Sequence, residues 1–79
     1  MQTIFVMVKT ELGRAYEVAT LAVDTELVSE VHSISGQYDL MLKCYLDEGT
    51  DIGSFITERI QTLPGVRDTF TLIAFKAFT

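Results

Sequence analysis

Seventy-nine residues give one small domain, and a chain this short buries only about 60% of its unfolded surface. Yet 48% of the residues are hydrophobic and the mean hydropathy is positive, more apolar surface than one small core hides, so oligomerisation is expected. The net charge of −5, with six scattered basic residues, argues against nucleic-acid binding by this chain, because phosphate affinity comes from clustered Lys and Arg.

No apolar run reaches the length of a membrane span, and no basic segment reads as membrane-directed. Met1-Gln2-Thr3 leads straight into a strand pattern without the features of a signal peptide, so a cytoplasmic protein is expected. Cys44 is alone, which leaves neither a disulfide framework nor a cysteine-based metal site.

Thr3–Lys9 is β-branched and aromatic. Ile4, Val6 and Val8 point one way and Phe5 and Met7 the other, as in a central strand covered on both faces. After a short connection, Arg14–Val23 reads as a helix with Ala15, Val18, Ala19 and Ala22 on one stripe. Leu27–Ile34 is the most polar strand candidate and therefore an edge. Ser35-Gly36-Gln37-Tyr38-Asp39 connects it to Leu40–Leu46, again apolar on both faces.

Thr50 reads as a helix N-cap, with Asp51 in the first turn. The helix runs to about Leu63 on a stripe of Ile52, Phe55, Ile56, Ile60 and Leu63, and Pro64-Gly65 stops it. Val66–Phe78 is the last strand. The order β-α-β-β-α-β, with no linker or second domain, implies an α+β ferredoxin-like fold. That fold places the strands in the spatial order fourth-first-third-second, with both helices on one face. The two strands that are apolar on both faces are then the central pair. The uncovered face would carry Phe5, Met7, Met41 and Tyr45, an apolar patch suited to a two-fold dimer.

Little in the chain points to catalysis. His32 reads as a solvated edge-strand residue without a placed partner, and Cys44 as a core hydrophobe. Asp47, Glu48 and Asp51 lack the ligand spacing of a calcium loop. The five glycines are dispersed, so there is no phosphate-cradling loop, and no cofactor is expected. Gly53, inside the second helix, suggests close packing. Thr69 and Thr71 share one face of the last strand, either as surface β-formers or as hydroxyls for a ligand.

Gly36-Gln37-Tyr38-Asp39 carries the sharpest ambiguity. Gly36 supplies the positive φ of a turn. Tyr38 packing and Asp39 capping backbone amides would complete that turn. A carboxylate beside an aromatic ring and exposed loop amides also suits a small zwitterion, the loop N–H groups meeting its carboxylate.

Three short motifs occur in order: Gly36-Gln37-Tyr38-Asp39-Leu40, Leu63-Pro64-Gly65-Val66 and Thr69-Phe70-Thr71-Leu72. They resemble the G-x-[YF]-D, L-P-G-V and T-x-T signatures of the effector domain of Lrp/AsnC transcription regulators, at matching spacing over essentially the whole chain. In that family the domain follows a helix-turn-helix domain, dimerises through its sheet, assembles into rings such as octamers, and binds amino acids or related effectors between dimers. The resemblance therefore implies a stand-alone effector domain without direct DNA binding, one suited to tuning full-length regulators by mixed assembly. It places Gly36, Gln37, Tyr38 and Asp39 in the pocket, with Thr69, Thr71 and Leu72 at or near it. Asp39 would orient the polar effector group and Tyr38 would wall the pocket. Two other readings stand beside it: a small dimeric α+β-barrel enzyme, which needs titratable groups inside the barrel, and an assembly module with no ligand.

Overall fold

The computed structural model describes residues 1–79. Its elements are β1 (Gln2–Thr10), α1 (Ala15–Val23), β2 (Val28–Ser33), β3 (Leu40–Leu46), α2 (Ile52–Phe55, continuing as a π-helical segment Ile56–Ile60) and β4 (Val66–Ala74). The sheet is antiparallel with the order β2-β3-β1-β4. The expected fold and strand order are what the chain adopts, and the central pair is β1 and β3.

Strand alternation sorts the residues. Ile4, Val6 and Val8 of β1 and Leu40, Leu42, Cys44 and Leu46 of β3 are all at most 1% exposed. Val18 and Ala22 of α1, with Phe55, Ile56 and Ile60 of α2, close over them. The residues between them in sequence (Phe5, Met7, Met41, Lys43 and Tyr45) face the uncovered side. Cys44 is a core residue, and burial pushes its thiol up to about 11.

Several boundaries differ from the sequence expectation. The last strand ends at Ala74, and beyond it Phe75 and Phe78 are almost fully exposed. Their apolar character imitates a strand, but neither residue belongs to one. Asp51, not Thr50, is the helix N-cap; its backbone is extended (φ −77°, ψ 108°) and its Oδ2 accepts the Ser54 hydroxyl at 2.8 Å. The α2 helix does not stay α: the Gln61 N–H donates to the Ile56 carbonyl, five residues back, at 2.8 Å. Gly53 does not serve close packing. A Cβ there would meet nothing nearer than Asp51 Oδ1 at 3.6 Å.

Gly65 is where a glycine is required. Its φ is +95°, and an added Cβ would lie 2.8 Å from Val18 Cγ2. Pro64 then Gly65 form the central residues of a turn closed by the Val66 N–H donating to the Leu63 carbonyl at 3.2 Å. The Gly65 carbonyl accepts from the Glu11 N–H at 2.8 Å. The Leu63–Val66 motif is thus a joint that lets β4 start directly against α1.

Candidate functional site

The connection between β2 and β3 spans Ile34–Asp39. It is closed by the Ile34 N–H donating to the Asp39 carbonyl at 3.0 Å, and Gly36 turns it with φ +112°. Nothing lies within 4 Å of a Cβ built on Gly36, so conformation rather than space selects the glycine here.

Asp39 is tied to the end of β1. Its N–H donates to the Val8 carbonyl at 2.9 Å. Its Oδ2 accepts the Thr10 N–H at 2.9 Å and the Thr10 hydroxyl at 3.2 Å. Thr10 is buried, so this carboxylate satisfies a backbone donor that water does not reach. The Thr10 N–H, ahead of the Thr10 hydroxyl and Lys9, holds the Asp39 carboxyl below its ordinary range. Lys9 Nζ stands 4.0 Å from the same oxygen. The amide-capping reading of Asp39 is therefore realised, through a partner 29 residues away.

Tyr38 lies half-buried on the uncovered side, its ring stacked on Phe70 at 6.1 Å between centroids and 24° between planes. Beside it a cleft of about 360 Å³ is lined by Lys9, Gln37, Tyr38, Arg67 and Asp68. Two of the expected residues, Gln37 and Tyr38, line this cleft together. Three others do not join them within one protomer. Thr69 and Thr71 pair with Val8 and Val6, which puts them on the helix side of the sheet, where Thr69 Oγ1 accepts from Gln61 Nε2 at 2.9 Å. Leu72 pairs with Phe5 on the uncovered side and is 47% exposed. Thr69 and Leu72 belong to opposite faces because they are three residues apart on one strand.

Sequence reasoning missed Lys9, Arg67 and Asp68. The cause is a break in register between β1 and β4. Lys9 pairs with Asp68 but Thr10 pairs with Val66, so Arg67 has no partner across the ladder. A β-bulge of this kind re-aims side chains that alternation would send to opposite faces. The available signal was two adjacent charges interrupting an apolar strand just after the Pro-Gly turn.

The uncovered face holds a second polar group. Glu30 Oε1 lies 2.9 Å from His32 Nε2, and Glu30 Oε2 lies 3.5 Å from Lys43 Nζ. The His32 hydrogen bond, then Lys43, keep the Glu30 carboxyl below its ordinary range. Lys43 also sits over the rings of Tyr45 (5.2 Å) and Phe5 (6.0 Å). His32 therefore has a carboxylate partner, contrary to the expectation of a purely solvated ring. Of the remaining acidic residues, Glu48 pairs with the N-terminal ammonium at 2.9 Å.

The chain matches the family described as the Lrp/AsnC ligand binding domain over residues 3–79. It is 33% identical over 72 residues to the HTH-type transcriptional regulator FL11 of Pyrococcus abyssi, covering 91% of this chain and 47% of that protein. The chain thus spans about half the length of these curated relatives. Among solved structures, FFRP-DM1 superposes with a TM-score of 0.88 at 35% identity, covering 95% of this chain and 100% of that one. TTHA0845 from Thermus thermophilus gives 0.87 at 32% identity, covering 100% and 99%. The fold is shared with the transcriptional regulator NMB0573 of Neisseria meningitidis, solved as an L-Met complex, at a TM-score of 0.86 and 18% identity over 99% of this chain and 52% of that one. The motifs at Gly36–Leu40, Leu63–Val66 and Thr69–Leu72 thus occur on the fold they imply, and the chain belongs to the Lrp/AsnC family through its ligand-binding domain.

Proposed function

We propose that this chain is a non-enzymatic, amino-acid-binding regulatory module that works as an oligomer. The observation that carries the reading is the cleft beside Tyr38. It combines an aromatic wall with two cations and a carboxylate, the complement of a zwitterion. The Neisseria regulator of the same fold is described in complex with L-Met, which supports an amino acid as the ligand class.

The uncovered sheet face supports assembly. Tyr45, Phe70 and Leu72 are 37–51% exposed there beside Phe5, Met7 and Met41, a largely apolar surface that a second copy would cover. A two-fold dimer through this face, with dimers meeting in a ring at the Gly36–Asp39 loops, brings a neighbour's residues over the Tyr38 cleft. Gly36 then shapes the loop and Asp39 positions it. Thr69, Thr71 and Leu72 enter the site as contributions to a shared boundary rather than to one protomer's pocket. Solved chains that this one matches nearly end to end support action as an effector domain. Mixed assembly with full-length regulators would be its route to transcription.

The His32–Glu30 pair does not favour an enzyme. It is half-exposed and does not line the Tyr38 cleft.

A thermal-shift and calorimetric screen over the twenty L-amino acids tests the proposal. At a hundredfold excess over Kd the bound ligand should stabilise the fold by about 2.7 kcal/mol. Absence of stabilisation by every amino acid would overturn it.

A further inference from the structure

Two carboxylates stand at the loop end of the sheet, and they have different partners. Asp39 directs its Oδ2 at the Thr10 N–H and hydroxyl, and Lys9 stands beside it. Asp68 faces the Tyr38 cleft. Its Oδ1 accepts only the next residue's N–H, from Thr69 at 2.8 Å. Arg67 lines the same cleft and takes part in none of the ion pairs of the chain. Arg67 and Asp68 are adjacent in sequence, yet they neither face apart nor neutralise each other. The register break between β1 and β4 allows this, because it passes from Lys9–Asp68 to Thr10–Val66 and leaves Arg67 outside the ladder.

We infer that Arg67 and Asp68, presented side by side by the bulge, grip the α-carboxylate and α-ammonium groups of the amino-acid effector. Asp39 is a positioning residue that fixes the loop and Lys9. This rests on the amino-acid reading above and assigns the charged contacts within it. A guanidinium offers a planar pair of donors that matches a carboxylate. A carboxylate a residue away offers the acceptor an ammonium needs. A simple anion such as phosphate fits less well, because Asp68 shares the cleft and Asp39 already stands beside Lys9. Tyr38, stacked on Phe70, supplies an apolar wall for the effector's side chain.

The test pairs variants with ligand analogues. The amino acid that stabilises the wild-type chain most is titrated by calorimetry beside its carboxamide, which lacks the carboxylate, and its des-amino acid, which lacks the ammonium. Arg67→Gln should weaken the amino acid about tenfold or more while leaving the carboxamide nearly unchanged. Asp68→Asn should weaken the amino acid by a similar factor and leave the des-amino acid nearly unchanged. Arg67→Lys, which keeps the charge but not the fork, should fall between. Both positions are exposed, and Asp68→Asn keeps an acceptor for the Thr69 N–H, so circular dichroism should show the wild-type fold. If an amino acid binds the wild type but the variants bind it equally well, or lose all three ligands by the same factor, this assignment falls and the amino-acid reading stands. If no amino acid binds the wild-type chain, both fall.

Discussion

The two faces of the sheet come from the same strands and have opposite fates. On β1, Ile4, Val6 and Val8 are fully buried, while Phe5 and Met7, one residue away in each case, are only partly buried. On β3, Leu42 is sealed under the helices while Met41 and Lys43 are not. The helix side is a finished core. The other side has comparable apolar character, but an ion-pair network of His32, Glu30 and Lys43 lies across it. Hydrophobicity alone therefore does not say where a core is. What decides is whether the chain has an element left to cover the surface, and here both helices lie on one side.

The contrast can be broken most severely from the covered side. Leu42→Ala should cost about 2–5 kcal/mol, because the side chain is fully buried and its removal leaves a cavity; urea unfolding at fixed protein concentration measures it. Next is Gly65→Ala, which combines a positive φ with a 2.8 Å approach to Val18. It should cost about 1–2 kcal/mol or more. Gly36→Ala, with a positive φ but open space, should cost less than Gly65→Ala in the same assay. An equal cost for the two glycines would show that the contact with α1 contributes nothing.

On the uncovered side the effect moves from folding to assembly. Leu72→Lys should leave protomer stability within about 0.5 kcal/mol. It should, however, shift the elution volume toward that of a monomer and abolish the dependence of Tm on protein concentration. An unchanged elution volume would place the oligomer contact elsewhere.

The smallest effect is the pH dependence of Asp39. Its carboxyl is held below the ordinary 3.8 in the fold, so its contribution is complete above that value and is lost as pH falls through the lower, folded value. Asp39→Asn keeps an acceptor for Thr10 but cannot titrate. The difference in urea midpoint between wild type and Asp39→Asn should be constant near neutral pH and shrink below pH 3.8. A difference that grows on acidification would contradict the Thr10 contact.

What the sequence disclosed, and what it hid, follows the range of the interactions. Alternation assigned Ile4, Val6 and Val8 to one face correctly, because a strand's period is a local property. The strand order followed from the β-α-β-β-α-β topology, and the two doubly apolar strands took its two central places. Three features depended on contacts distant in sequence. Asp39 finds its acceptor role only because β1 ends beside it. The bulge at Arg67 shifts the parity of one strand against another, which no single segment encodes. Phe75 and Phe78 look like strand residues, but nothing in the protomer extends to pair with them. Thr69, Thr71 and Leu72 share one motif, and strand alternation puts the two threonines on the helix side and Leu72 on the uncovered side.

Cys44 gives the core a built-in clock. It is the one thiol in the chain, sits at the middle of the sheet, and stays protonated with its burial pushing it up to about 11. A thiol in that state does not react with an alkylating reagent until β3 is uncovered. The rate of its modification therefore counts openings of the native molecule, without any label having been introduced. Measured with and without an amino acid, the same rate would report how far a ligand at the edge of the sheet slows the opening of its centre.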